Sequence, residues 1–257
     1  SEMSDTQASP LTKDFKIDLP EDVSFIINTI EKNGHQAYAV GGCVRDTIMG
    51  VTPNDWDITT NALPEEVKSY FTKTIDTGIQ HGTVTVMLHS TGYEVTTYRI
   101  DGDYLDGRHP SSVEFSDRLT DDLCRRDFTI NAMAYNERTG LVDEYGGIDD
   151  INNKVIRCVG RPEERFTEDA LRMMRAIRFS AQLGFTIEDN TYKAIEKLSA
   201  NIQKVSMERV CVELKKTLMS DNPDFCRLYG TTNLFKDILP QLHDSFTKRQ
   251  SKRILLT

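Results

Sequence analysis

The sequence predicts an α/β front half, a small mixed sheet with flanking helices, followed by an all-helical back half, with the boundary near residue 160. Three observations lead there. Short Val- and Thr-rich stretches alternate with helical stripes as far as Arg161. Beyond it the patterns are helical, one after another. The length, 257 residues, suits one large domain or two modest ones with ample core.

Taken in order, "SEMSDTQASPLTKDF" lacks a basic start and an apolar core, so residues 1–20 read as a flexible leader and not as a secretory signal. "PEDVSFIINTIEKNG" carries a stripe of Val23, Ile26, Ile27 and Ile30 that stops at Gly34, a helix. "QAYAV" is a short strand running into Gly41 and Gly42, "CVRDTIMG" a short helix and "DWDIT" another strand. "PEEVKSYF" is a helix with Pro64 in its first turn. "GTVTVMLH" and "YEVTTYR" alternate as strands on either side of "STG". From Ile100 to Asp117 the chain is polar and aperiodic, a mobile loop. After mixed segments and a Gly-Gly corner in "GLVDEYGGIDDI", the runs "TEDALRMMRAIRFSAQLGF", "EDNTYKAIEKLSA", "SMERVCVELKKTLMS" and "PDFCRLYG" follow as helices. Thr167, Ser206 and Asn222 stand as their caps. The expected organisation is a head over 21–160, a helical neck over 161–220 and the start of a helical body over 221–257.

Composition narrows the function classes. No apolar run reaches the roughly 20 residues that span a bilayer, so no membrane role is expected. The five cysteines are scattered and contain no C-x-x-C, which disfavours zinc and a disulfide framework and points to a reducing, cytoplasmic setting. A net charge of −9 argues against a generic nucleic-acid coat, yet arginines cluster in "CRRDF", "GRPEERF" and "LRMMRAIRF". A basic groove on an acidic body is compatible with that distribution.

The chemistry concentrates around "DWD". Residues i and i+2 of a strand share a face, so Asp55 and Asp57 would project together with Trp56 turned to the core. Two adjacent carboxylates repel unless a cation lies between them. Mg²⁺ suits such a pair, keeping waters and substrate phosphates as its other ligands. Gly41 and Gly42, between a strand and a helix, offer backbone N–H groups to phosphate. Glu94 joins as a third carboxylate if its strand lies beside "DWDIT". Each feature alone also fits a solvated strand edge or an ordinary tight turn; together they form a nucleotide-plus-metal arrangement.

The ordered set "AVGGCVRDTIMGVTPNDWDITTNALPEEV", "RRDFTINAMAYN", "DEYGGIDDI", "RFTEDALRMMRAIRFSAQLGF" and "SMERVCVEL" resembles the class II tRNA nucleotidyltransferases. These are the bacterial-type CCA-adding enzymes and their poly(A) polymerase relatives, in the DNA polymerase β superfamily. The resemblance spans roughly residues 36 to 215 and implies a polymerase-β-like palm in the head. It implies that Gly41, Gly42, Arg45 and Asp46 cradle phosphate, that Asp55 and Asp57 bind two Mg²⁺ ions and that Glu94 is an auxiliary acid. By the same resemblance Arg125, Arg126, Asp127 and Asn131 contact sugar and triphosphate, and Asp143, Gly146 and Gly147 form a hinge. Glu168, Asp169 and Arg172 select the nucleotide, with Arg175 and Arg178 continuing toward phosphate, and Asp103, Asp106 and Arg108 are charged positions of a flexible loop. The implied substrates are CTP, ATP and the 3′ end of tRNA. No oligomeric state is implied.

Asp169 and Arg172, three apart, would share a helix face. Asp only accepts and Arg only donates hydrogen bonds, which matches the amino group and unprotonated ring nitrogen of C and A and opposes U and G. An intrahelical salt bridge is the plain alternative for that pair. "KTIDTGIQHGTVTV" resembles the CCA-adding pattern and "RIDGDYLDGRHPSSVEF" resembles that family's complete loop, a resemblance that implies C-C-A addition over CC-only addition and over poly(A) synthesis. A catalytically silent homologue that binds RNA or nucleotides is the alternative from another class, opposed by the intact acids. His243-Asp244 is too isolated a dipeptide to form a phosphohydrolase site.

Overall fold

The computed structural model describes residues 14–101 and 113–240. The chain divides into two compact units that interleave along the sequence. One takes the chain up to Tyr98 with Asp117–Thr120 and Ile130–Asn153; the other takes Arg99–Ser116, Asp121–Thr129 and everything from Lys154. The last segment of the second unit thus opens slightly ahead of residue 160.

The first unit is built on strands β1 (Ala37–Val40), β2 (Asp57–Thr60), β3 (Thr74–Gly78), β4 (Thr83–Leu88) and β5 (Thr91–Thr97). With β8 (Ala134–Asn136) and β9 (Gly140–Val142) they form a seven-stranded mixed sheet ordered β3-β4-β5-β2-β1-β8-β9. Only β2 and β5 run parallel; the other neighbours are antiparallel. Central β1 is buried along its whole length, as its continuous apolar run requires. Helix α1 (Glu21–Lys32) buries Val23, Ile26, Ile27 and Ile30, each such side chain contributing roughly 1.5–3 kcal/mol. It ends where Gly34 takes a φ of +87°. Helices α2 (Gly42–Ile48), α3 (Pro64–Tyr70) and α5 (Gly147–Asn152) complete the unit.

The second unit holds most of α4 (Leu119–Cys124), then α6 (Pro162–Glu168), α7 (Leu171–Leu183), α8 (Asp189–Leu198), α9 (Met207–Leu218) and α10 (Arg227–Thr231). A last helix occupies 234–240. Helix α7 is buried on nearly every side and stops at Gly184, whose φ of +71° closes the turn. Ser206 caps α9 as expected, its Oγ accepting the N–H of Arg209 at 3.4 Å. Two short parallel strands, β10 (Val155–Ile156) and β11 (Thr186–Ile187), lie beside these helices.

Four local expectations need correction. Asp57 opens β2, so Asp55 precedes the strand, and Trp56 is half-buried and not a core residue. Strand β3 was not anticipated because it is a mostly exposed edge with little apolar content. The expected loop from Ile100 to Asp117 is a β-ribbon at both ends, with β6 (Arg99–Asp101) paired antiparallel to β7 (Val113–Phe115). The run from Thr167 to Phe185 is broken into α6 and α7 by Asp169, whose φ of −147° and ψ of 107° are extended, so Thr167 is an interior residue of α6 and no cap.

Candidate active site

In the first unit the sheet brings two of the predicted carboxylates, Asp57 and Glu94, side by side. Asp57 is in register with Glu94 on the parallel neighbour β5 and with Val40 at the end of β1. Register partners on adjacent strands present their side chains on the same face. Asp55, Asp57 and Glu94 are all exposed. Immediately after Val40 the chain turns at Gly41, whose φ of 85° and ψ of −139° suit glycine almost alone. The Gly41 N–H donates to the Met133 carbonyl at 3.2 Å, fixing the turn against the segment before β8. No side chain caps the start of α2 and its first turn carries no acid, which leaves that end electropositive.

Arg45 is buried and works inward. Its Nε and Nη2 donate to Asp46 Oδ1 at 3.1 and 3.0 Å, and its Nη1 donates to Asn131 Oδ1. Two neighbouring predicted site residues, Arg45 and Asp46, are thereby tied to a distant one, Asn131. Cys43, under the corner, donates to the Val40 carbonyl at 3.3 Å, and burial pushes its thiol up to about 11. It is an unreactive packing group. Asp143 accepts the N–H groups of Gly147 and Ile148 at 2.7 and 3.0 Å and so caps α5, next to Gly146 at φ 75°.

These donors fit a hard cation. Two exposed aspartates supply oxygens only, and among the described residues no group of three or more His, Cys, Asp or Glu is preassembled into a metal cage.

In the second unit arginines pair with Asp122, Asp127 and Glu168. Asp122, with no solvent exposure, accepts Arg125 Nη2 at 3.1 Å on one oxygen and Arg126 Nη2 at 3.0 Å on the other. Burial alone would raise its carboxyl, but the two guanidiniums outweigh it and hold the group below the usual carboxylate range. Asp127 accepts the Phe128 N–H at 2.7 Å and pairs with Arg175 at 2.8 Å. Glu168 bridges Arg165 at 2.6 Å and Arg172 at 2.7 Å. Arg172 also donates to the Arg125 carbonyl at 3.0 Å, and Arg165 reaches the Cys124 carbonyl.

Asp169 and Arg172 therefore do not stand on one helix face, and Arg172 takes Glu168 as its salt-bridge partner in place of the intrahelical bridge to Asp169. Asp169 lies in the break before α7, where its Oδ1 accepts the Leu171 N–H at 3.1 Å and its Oδ2 accepts Arg209 Nη2 at 3.2 Å. Arg178 departs from the expected series toward phosphate. It is sunk between α7 and α9, paired with Glu213 and lying 4.2 Å over the Phe179 ring, and desolvation lowers its pKa. Asp103, Asp106 and Arg108 lie outside the described residues. Asp122, Arg165 and Glu213 carry no sequence assignment. The only signal for Asp122 was its spacing of three and four residues from Arg125 and Arg126.

The mixed sheet, with its glycine corner and the register of Asp57 with Glu94, is a polymerase head. Residues 37–157 match the family described as the Poly A polymerase head domain, and residues 184–246 match the probable RNA- and SrmB-binding site of polymerase A. Residues 37–157 belong to this poly(A) polymerase head family. It is 54% identical over 198 residues to a CCA-adding enzyme of Leuconostoc mesenteroides, an alignment covering 77% of this chain and 49% of that protein. It is 50% identical over 210 residues to a CCA-adding enzyme of Ligilactobacillus salivarius, covering 82% and 51%. The fold superposes on the Bacillus stearothermophilus CCA-adding enzyme in complex with CTP at a TM-score of 0.76 and 43% identity, covering 82% of this chain and 51% of that one. The Thermotoga maritima CCA-adding enzyme complexed with tRNA matches at a TM-score of 0.70 and 27% identity, covering 85% and 52%. The chain spans about half the length of the relatives it matches. Among the described residues no helix is long and apolar enough to cross a membrane.

Proposed function

We propose that this chain is the catalytic portion of an enzyme that adds C, C and A to the 3′ end of tRNA from CTP and ATP without a nucleic-acid template. The observation that carries the reading is the register of Asp57 with Glu94 beside the Gly41 corner, in a chain about half identical to CCA-adding enzymes. In the reaction the terminal 3′ oxygen of the RNA attacks the α-phosphorus of the nucleotide. A new P–O bond forms there, and the bond to the β-phosphate breaks to release pyrophosphate.

Asp55 and Asp57 would hold two Mg²⁺ ions, which when bound supply charge stabilisation for the attacking and departing oxygens. Glu94 stands beside Asp57 as an auxiliary acid. Gly41, Gly42, Arg45, Asp46 and Asn131 shape the phosphate corner, with Arg45 acting mainly to hold Asp46 and Asn131 in place. Arg125 and Arg126 bind triphosphate oxygens, and Asp127 with Arg175 supports the sugar.

Base choice rests on Asp169 and Arg172, acting from the break before α7 and its first turn. A carboxylate has about four lone-pair sites, so Asp169 retains acceptor capacity for an exocyclic amino group beyond Leu171 and Arg209. Glu168 fixes the Arg172 guanidinium, which donates to the unprotonated ring nitrogen. U and G would leave unpaired groups here, at about 1–3 kcal/mol each. We place the protein in the cytoplasm, where its five unpaired thiols would stay reduced.

Transfer of labelled CMP to a tRNA lacking its 3′ end tests the reading. The protein as it stands incorporates CMP, and Asp55→Ala and Asp57→Asn each abolish transfer while CTP still binds. Near-normal transfer by either variant would overturn the assignment.

A further inference from the structure

Asp122 stands behind Arg125 and Arg126. It has no solvent exposure, so nothing bound at the surface touches it, yet each of its oxygens accepts one guanidinium N–H, from Arg125 at 3.1 Å and from Arg126 at 3.0 Å. Those two side chains are themselves only 16% and 21% exposed, each showing solvent a limited part of its fork. The backbone beneath them is equally constrained. Arg165 and Arg172 donate to the Cys124 and Arg125 carbonyls at the end of α4, and Glu168 ties Arg165 to Arg172.

A long arginine side chain loses much rotamer freedom when it binds an anion, so fixing it beforehand favours affinity. A single carboxylate that takes one donor from each of two guanidiniums sets their separation and tilt together. It also offsets their mutual repulsion in a partly desolvated place. A fully buried acid serving no more than α4 stability would not need both arginines, and α4 has only Leu119–Cys124 to stabilise.

We propose that Asp122 is the positioning residue that presents Arg125 and Arg126 as a preset pair for the triphosphate. The proposal rests on the reading of those arginines as phosphate ligands. Because the triphosphate is common to both substrates, Asp122 affects CTP and ATP alike, whereas the Glu168–Arg172 pair affects the choice between bases.

The test uses Asp122→Asn and Asp122→Glu in the whole chain, with Arg125→Gln and Arg126→Gln as references. Competition by inorganic triphosphate and KM and kcat for CTP and ATP are read for each. Asp122→Asn is expected to raise both KM values and weaken triphosphate competition by about tenfold, with a smaller change in kcat. Asp122→Glu, which keeps the charge but displaces it, gives an intermediate loss. In the double variant Asp122→Asn/Arg126→Gln the losses do not add. If Arg125→Gln and Arg126→Gln leave triphosphate competition intact, the reading of the arginines fails. If they weaken it and folded Asp122→Asn does not, this proposal alone fails. Inability of both Asp122 variants to fold would assign the residue to stability and overturn the proposal as well.

Discussion

Glu213 on α9 faces the guanidinium of Arg178 on α7, and neither side chain is more than 10% exposed. Replacing Glu213 by Leu strands a buried positive charge. Truncating one partner of such a pair costs about 3–5 kcal/mol, most of it the penalty of the charge left behind. Gln182 at 3.2 Å and the Phe179 ring at 4.2 Å remain as partners but carry no counter-charge. We therefore place Glu213→Leu near 4 kcal/mol and Glu213→Gln, which keeps an acceptor, near 3 kcal/mol, both as approximate values within that range. The double variant Arg178→Met/Glu213→Leu removes both charges, fills the space with apolar atoms and returns to within about 1 kcal/mol of the wild type. Urea denaturation followed by circular dichroism measures all three. Triphosphate competition on the double variant separates the two roles of Arg178, since a structural residue leaves it unchanged. A Glu213→Gln cost below about 0.5 kcal/mol, or a large loss of triphosphate binding in the double variant, would refute the reasoning.

Further outcomes follow from the same geometry. Glu94→Gln lowers the rate of CMP transfer less than Asp57→Asn does, and equal loss in both would promote Glu94 from auxiliary to essential. Asp143→Ala removes the cap from α5 and costs about 1–2 kcal/mol in urea denaturation; no change would mean that the two N–H bonds add nothing. Stability falls in acid. At Asp122 burial is outweighed by Arg126 and Arg125, and at Glu188 burial is outweighed by the N–H and hydroxyl bonds of Thr191 and the N–H of Asn190, so both carboxyls sit below their usual range. The native state then binds fewer protons than the unfolded one, so their contribution is complete above the unfolded values near about 4 and is lost as pH falls through the native ones. Urea midpoints that do not drop between neutral pH and that acid range would contradict this.

Much of the head was legible in the sequence because its signals are local. The α1 stripe, the run into Gly41 and the alternating β4 and β5 follow from side-chain period and glycine placement alone. Edge strand β3 was hidden because an exposed edge needs no apolar face. The break at Asp169 was hidden for a different reason. The sequence around it satisfies a helical period, and what pins it in an extended conformation includes Arg209, forty residues away. Arg178 and Glu213 show the same limit, since a buried charge declares itself only through its distant partner. The candidate carboxylates are recognisable by spacing, but only Asp57 and Glu94 share a strand face, because Asp55 precedes β2.

Template-free C-C-A addition is read out by extension of a tRNA that lacks its 3′ end. The protein is given Mg²⁺ with CTP and ATP together, and products are sized at single-nucleotide resolution. Growth is expected to stop after C, C and A, with UTP and GTP left unused. A product stopping after the two C residues, a long adenosine ladder or no extension at all would contradict it, pointing in turn to a CC-adding enzyme, a poly(A) polymerase and a silent homologue.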